Sequence, residues 1–234
     1  MPYRPLATHA RLATALALAA ALAACASRQR PSRPEAELLE ARAGYVRRLA
    51  EESEPVQRAL VARLVRKHEA FARRQTPHPP TFHVLILSGG GDYGAFGAGF
   101  LRGWALVPPG DNARPTFDAV TGVSTGALIA PFAFTGRDED YARIDELYRN
   151  PSPGWARPRW LLSFLAEGSA YYDVSGLERE VRAAVDSAMV ARIAAGARDG
   201  RALAVGATNI DFGSRRAFVL SELALAPGAE DDPA

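Results

Sequence analysis

Residues 85–104 read LILSGGGDYGAFGAGFLRGW and residues 119–130 read AVTGVSTGALIA. Each begins with a short apolar run, breaks into glycine and passes into a stretch with helical spacing. A strand, a glycine turn and a helix, given twice in succession, indicate an α/β fold with a mainly parallel sheet covered by helices. The predicted elements are a strand from His83 to Ser88, a helix over about 95–106, a strand from Phe117 to Val123 and a helix from Thr125. Farther on, residues 177–200 read as one helix ending at glycine. RALAVGATNI (201–210) reads as a buried strand, and RRAFVLSEL (215–223) as a strand paired with it across DFGS.

Gly89, Gly91 and Gly94 satisfy the spacing G-x-G-x-x-G between a strand and a helix, as a dinucleotide-binding loop would. Glycine lets backbone N–H groups at a helix N-terminus approach negative charge closely, whether that charge is a pyrophosphate or an oxyanion. A dinucleotide site wants an acidic residue at the end of the second strand to hold the ribose. Here the second strand ends in Gly122-Val123-Ser124-Thr125-Gly126, which fits G-x-S-x-G. A bare match to that pattern is weak, but its place at a strand-to-helix turn is that of a nucleophile elbow, where small flanking residues let the turn close. An elbow serine with a separate glycine loop of N–H donors makes two parts of an acyl-transfer site.

The base is the open question. Histidines occur only at 9, 68, 78 and 83, so none follows Ser124, and no aspartate precedes His83. The order His83, Asp118, Ser124 is formally available but belongs to all-β barrels, and His83 reads as a packed or edge residue of its strand. A triad is therefore not expected, which leaves a serine served directly by a carboxylate.

At this point the chain resembles the patatin-like phospholipases, lipid acyl hydrolases with a Ser–Asp dyad. SGGGDYGAFGAGFLRGW resembles their glycine-rich oxyanion loop, TGVSTGAL their nucleophile elbow and VGATNIDFGSRRAF a later strand pair, so the resemblance covers about residues 82–222. It implies a patatin-like three-layer fold, Ser124 as nucleophile, Gly122 and Gly126 in the elbow, and Gly89, Gly90, Gly91 and Gly94 in the oxyanion loop. Many members carry Arg or Lys where this chain has Tyr93. The family's Asp-Gly-Gly or Asp-Gly-Ala motif does not occur, and Asp199-Gly200, which precedes the 201–210 strand, reads as a helix-terminating turn. The catalytic aspartate is thus not found in this chain. Asp231 and Asp232 lie in a polar tail with nothing to fix them beside Ser124. The expectation is a patatin-like domain over 81–234 that is incomplete and nearly inactive in this 234-residue form.

Arg4 and Arg11 precede LATALALAAALAAC (12–25), an apolar stretch of signal-peptide length followed by small residues. Leu22-Ala23-Ala24-Cys25 resembles a lipobox, which makes residues 1–24 a lipoprotein signal and Cys25 the lipidated first residue of an exported, membrane-anchored protein. Ala26, with no aspartate after the cysteine, favours the outer membrane. Cys25 is the only cysteine, so neither a disulfide within the chain nor a cysteine metal site can form. Residues 35–74 read as one or two amphipathic helices broken near Pro55, and the Pro-rich residues 76–80 close this 25–80 segment. Residues 26–75 are net basic and residues 76–234 net acidic, but the basic residues are not interleaved with stacking aromatics, so no nucleic-acid partner is expected. The function read from the sequence is hydrolysis of membrane lipids or related acyl esters, with no metal and no cofactor. The alternative is a non-catalytic lipoprotein that binds lipid or an envelope partner.

Overall fold

The computed structural model describes residues 33–152, 154–155, 157–158, 172–209 and 214–229. The expected signal segment, Cys25, the 211–213 turn and Asp231 and Asp232 lie outside the described residues.

A four-stranded sheet organises the domain, in the order β1 (Val84–Leu87), β2 (Ala119–Val123), β5 (Ala202–Asn209), β6 (Ser214–Val219). The first three strands run parallel, and β6 returns antiparallel to β5 with Gly206 opposite Ala217. One face carries Leu85 and Leu87, Val120, Leu203 and Val205, all joined to the core. Against it pack α2 (Gly94–Ala105), α3 (Thr125–Thr135), α4 (Asp138–Arg149) and α6 (Ser187–Arg198). The central helix, α3, is almost entirely apolar and buried, with Ile129, Phe132 and Phe134 at 2% exposure or less. It ends where Gly136 takes a left-handed conformation, φ 72°, and donates to Phe132. The other sheet face leaves Val84, Ile86 and Val123 exposed.

The N-terminal helix α1 (Glu35–Ala72) is continuous, which corrects the expected break at Pro55. Proline removes one intrahelical hydrogen bond, at a cost of about 3 kcal/mol in a helix interior. Here the affected turn is exposed, so water can take the freed carbonyl, and contacts on either side hold the helix in line. Toward its C-terminal end, Arg63 Nε and Lys67 Nζ bind the buried Asp118 at 2.7 and 2.6 Å, Lys67 Nζ donates to Thr81 O at 3.1 Å, and Arg66 donates to Asp199 O at 2.8 Å. Toward its N-terminal end, the Tyr45 hydroxyl accepts the Ala217 N–H of edge strand β6 at 3.0 Å. Because Asp118 and Asp199 precede β2 and β5 while Ala217 lies level with Gly206 and Val123, α1 runs antiparallel to the parallel strands.

Three further differences from the sequence reading are local. Residues 177–200 form two helices, α5 (Ser175–Ala184) and α6, because Asp186 breaks the run and caps α6 by accepting the Met189 N–H at 2.8 Å. β6 ends at Val219, and Leu220–Leu223 turn into a short helix, α7. The helix α4 is additional, opened by Asp138, Glu139 and Asp140 and buried through Tyr141 and Ile144. Arg157–Pro158 (β3) and Tyr172–Asp173 (β4) form a minimal antiparallel pair.

Candidate active site

Ser124 sits where β2 passes into α3, at φ 52° and ψ −126°. Positive φ is uncommon for a residue with a side chain and costs on the order of 1–3 kcal/mol, so the surrounding structure must enforce it. The enforcing contacts come from the flanking glycines. A Cβ on Gly122 would run into the Gly126 backbone, and a Cβ on Gly126 would run into the backbone of Leu87 and Ser88. The two strands and the helix therefore meet backbone to backbone, and the serine side chain is turned outward and exposed. Its hydroxyl does not cap α3.

The glycine loop lies directly opposite. A Cβ on Gly89 would stand 3.0 Å from Ser124 Cβ and 3.7 Å from its Oγ. Gly91 takes φ +56°, and the turn closes with Tyr93 N–H donating to Gly90 O at 3.1 Å. Among the described residues the amides of Gly89, Gly90 and Gly91 donate to no backbone carbonyl, and in the first turn of α3, where Ala127 N–H turns back to Ser124 O at 2.9 Å, the amides of Thr125 and Gly126 have no carbonyl a turn earlier to bind. A cluster of unpaired N–H donors beside a hydroxyl suits a developing oxyanion. Gly94 serves a different need. Its φ of −56° is open to any residue, but a Cβ there would stand 2.7 Å from the Tyr148 hydroxyl and closer still to Thr125 Oγ1. Tyr93 is exposed on the loop surface.

The formal partners of a triad lie at the wrong end. Asp118 precedes β2 and Ser124 follows it, which puts them about 20 Å apart at roughly 3.3 Å per residue. Asp118 Oδ2 accepts the backbone N–H of His83 at 2.8 Å, and His83 O accepts from Asp118 N, so the pair is a main-chain clamp. Asp199 is engaged by Arg63 and Arg66 at that same end, and Gly200 takes φ +79° as the turn after α6. Asp92, in the glycine turn, is exposed; its carbonyl accepts the Gly94 N–H, and its side chain makes no hydrogen bond or ion pair among the described residues. Among the described residues no carboxylate or imidazole hydrogen-bonds to Ser124. No cluster of metal-ligating side chains occurs among them either.

A cavity of about 880 Å³ opens one turn beyond Ser124, beginning at Ala127 and Leu128 of α3. Its walls are largely apolar, with Phe132, Leu147, Tyr148, Leu177 and Leu220 prominent. That size and lining suit an apolar ligand.

The patatin-like phospholipase family model matches residues 85–226, more than half of the chain and both glycine motifs with the β5–β6 pair. The chain belongs to the patatin-like phospholipase family. No curated protein and no solved structure matches it. Membership accounts for the mixed α/β sheet and for lipid acyl hydrolysis as the general activity. Among the described residues of this patatin-like chain, no helix is long and apolar enough to cross a membrane.

Proposed function

We propose that the chain is a serine lipid acyl hydrolase working through a Ser–Asp dyad, with Ser124 as the nucleophile. The observation that carries this reading is the strained, outward-facing Ser124 held against Gly89 of the glycine loop. Ser124 Oγ attacks the ester carbonyl carbon while its proton passes to the carboxylate, and the tetrahedral oxyanion accepts N–H bonds from the loop and from Thr125. Collapse of that intermediate expels the alcohol, which takes the proton back. Water then attacks the acyl-enzyme by the same route. The apolar cavity beside α3 receives the acyl chain. Among the described residues no carboxylate hydrogen-bonds to Ser124, so this reading leaves the dyad aspartate unassigned.

We further propose export and anchoring through Cys25. The polarity of α1 supports this reading. Tyr45 lies level with the end of β2 that carries Ser124, and ten more residues lead to Glu35, about 15 Å at 1.5 Å per residue. An anchor ten residues before that point would hold the Ser124 end of the sheet toward the lipid.

The lack of a carboxylate contact to Ser124 among the described residues favours one second reading, a lipid-binding protein that keeps the site without turnover. Hydrolysis of a phospholipid or p-nitrophenyl ester by the wild-type chain, lost in Ser124→Ala, supports the hydrolase. Lipid binding without hydrolysis or serine labelling supports the second reading.

A further inference from the structure

Thr125 directly follows Ser124, and its N–H is one of the donors the proposed chemistry uses. Its side chain does not face solvent. Thr125 is buried, and its Oγ1 shares a short hydrogen bond with the hydroxyl of Tyr148 in the last turn of α4. The Tyr148 hydroxyl also lies 3.4 Å from the Thr125 carbonyl oxygen. Thr125 can donate to Tyr148 while Tyr148 donates back to that carbonyl, so one phenol grips both the side chain and the main chain of the residue next to the nucleophile. The third party is Gly94, the last glycine of the loop, whose missing side chain leaves the room the two hydroxyls occupy. The other side of the Tyr148 ring meets Trp155 edge-on at 6.1 Å and forms part of the apolar cavity wall.

Glycine loop, elbow and α4 thus meet at one buried point. We propose that Tyr148 is a positioning residue, which through Thr125 holds the oxyanion donors of the elbow in register with those of the glycine loop. This rests on the reading of Ser124 as nucleophile. The Tyr148 ring lines the cavity that receives the acyl chain, but its hydroxyl bonds to Thr125 and not to Ser124, and that hydroxyl acts through its neighbour. Burial pushes its phenol up, offset in part by the bond to Thr125, so the hydroxyl keeps its proton across the neutral range.

The test is the rate at which a small fluorophosphonate labels Ser124, since phosphonylation uses the same donors. Tyr148→Phe removes one oxygen and leaves the ring in the cavity wall. Its maximal labelling rate should fall about tenfold, less than the 10²- to 10³-fold lost with an oxyanion donor itself. The half-saturating reagent concentration should stay unchanged, because reagent binding does not involve the hydroxyl. Thr125→Val should fall by a similar factor, the double variant should fall no further, and Thr125→Ser, which keeps the hydroxyl, should label close to the wild-type rate. Wild-type labelling speed in Tyr148→Phe overturns the proposal, as does a loss that disappears once the rate is expressed per folded molecule by circular dichroism. A wild-type chain that is never labelled sinks the nucleophile reading and the proposal together, which separates the two failures.

Discussion

Asp118 and Ser124 flank the same five-residue strand, the carboxylate buried before its first residue and the hydroxyl exposed after its last. The two ends of β2 have separate duties. At one end Asp118 gathers Arg63 and Lys67 and fastens α1 to the sheet. At the other the chain turns through two obligatory glycines into the site.

The first prediction concerns the fastening. Burial alone would push the Asp118 carboxyl up, but hydrogen bonds from Lys67, the His83 amide and Arg63, with the charge of Lys67, outweigh it and hold the carboxyl below its usual value. A depressed folded-state pKa gives stability that is complete above the unfolded value, about 3.9, and is lost as pH falls through the folded one. Asp118→Asn takes the carboxylate from Lys67 and leaves Arg63 with Asp199 alone, and should cost about 3 kcal/mol at pH 7. Denaturant unfolding across pH should show the gap between wild type and variant narrowing below about pH 4. A gap that stays constant with pH would contradict the ionic account.

Glycines that look alike in sequence should respond in opposite directions. Gly126→Ala drives a methyl into the backbone of Leu87 and Ser88 and should cost about 3 kcal/mol or give insoluble protein. Gly103→Ala, in the exposed part of α2 with nothing within 4 Å, should gain about 0.5–1 kcal/mol. Chemical denaturation of the two variants is the check, and equal effects would show that the elbow is not close-packed.

Strain at Ser124 can be separated from its chemistry. Ser124→Ala and Ser124→Gly both delete the hydroxyl, but only glycine is at ease at φ 52°. Ser124→Gly should be about 1 kcal/mol more stable than Ser124→Ala. Thermal unfolding of the pair decides it, and a glycine variant no more stable than the alanine variant would mean the turn is unstrained.

Anchoring is tested in cells. Full-length protein made in a lipoprotein-processing host should fractionate with membranes and carry acyl chains on Cys25, and Cys25→Ser should move it to the soluble fraction. Unlipidated, soluble wild-type protein would refute the anchor.

The two glycine motifs were legible in the sequence because their chemistry is local. A strand that must turn sharply into a helix needs small residues at fixed offsets, and Gly122 and Gly126 announce that need. What joins distant residues was not legible. The grip of Arg63 and Lys67 on Asp118 spans 55 and 51 positions, so in the sequence the charges along α1 show only as a net basic segment. Tyr148 escaped notice for the same reason, although Asp138, Glu139 and Asp140 followed by Tyr141, Ile144 and Tyr148 at spacings of three and four mark α4 as a helix. The break before α6 had a signal too, Asp186 as a helix cap, masked by the strong helix formers on both sides. Pro55 misled in the other direction: the expected break follows from proline's missing N–H, and tertiary contacts overrode it.

The central claim is that Ser124 is the nucleophile and faces an oxyanion loop. Incubation with a fluorophosphonate followed by peptide mass spectrometry tests it most directly. The account predicts one adduct, on Ser124, which is lost in Ser124→Ala while that variant keeps its fold. A folded wild-type chain with no adduct on Ser124, or ester hydrolysis undiminished in Ser124→Ala, would contradict it.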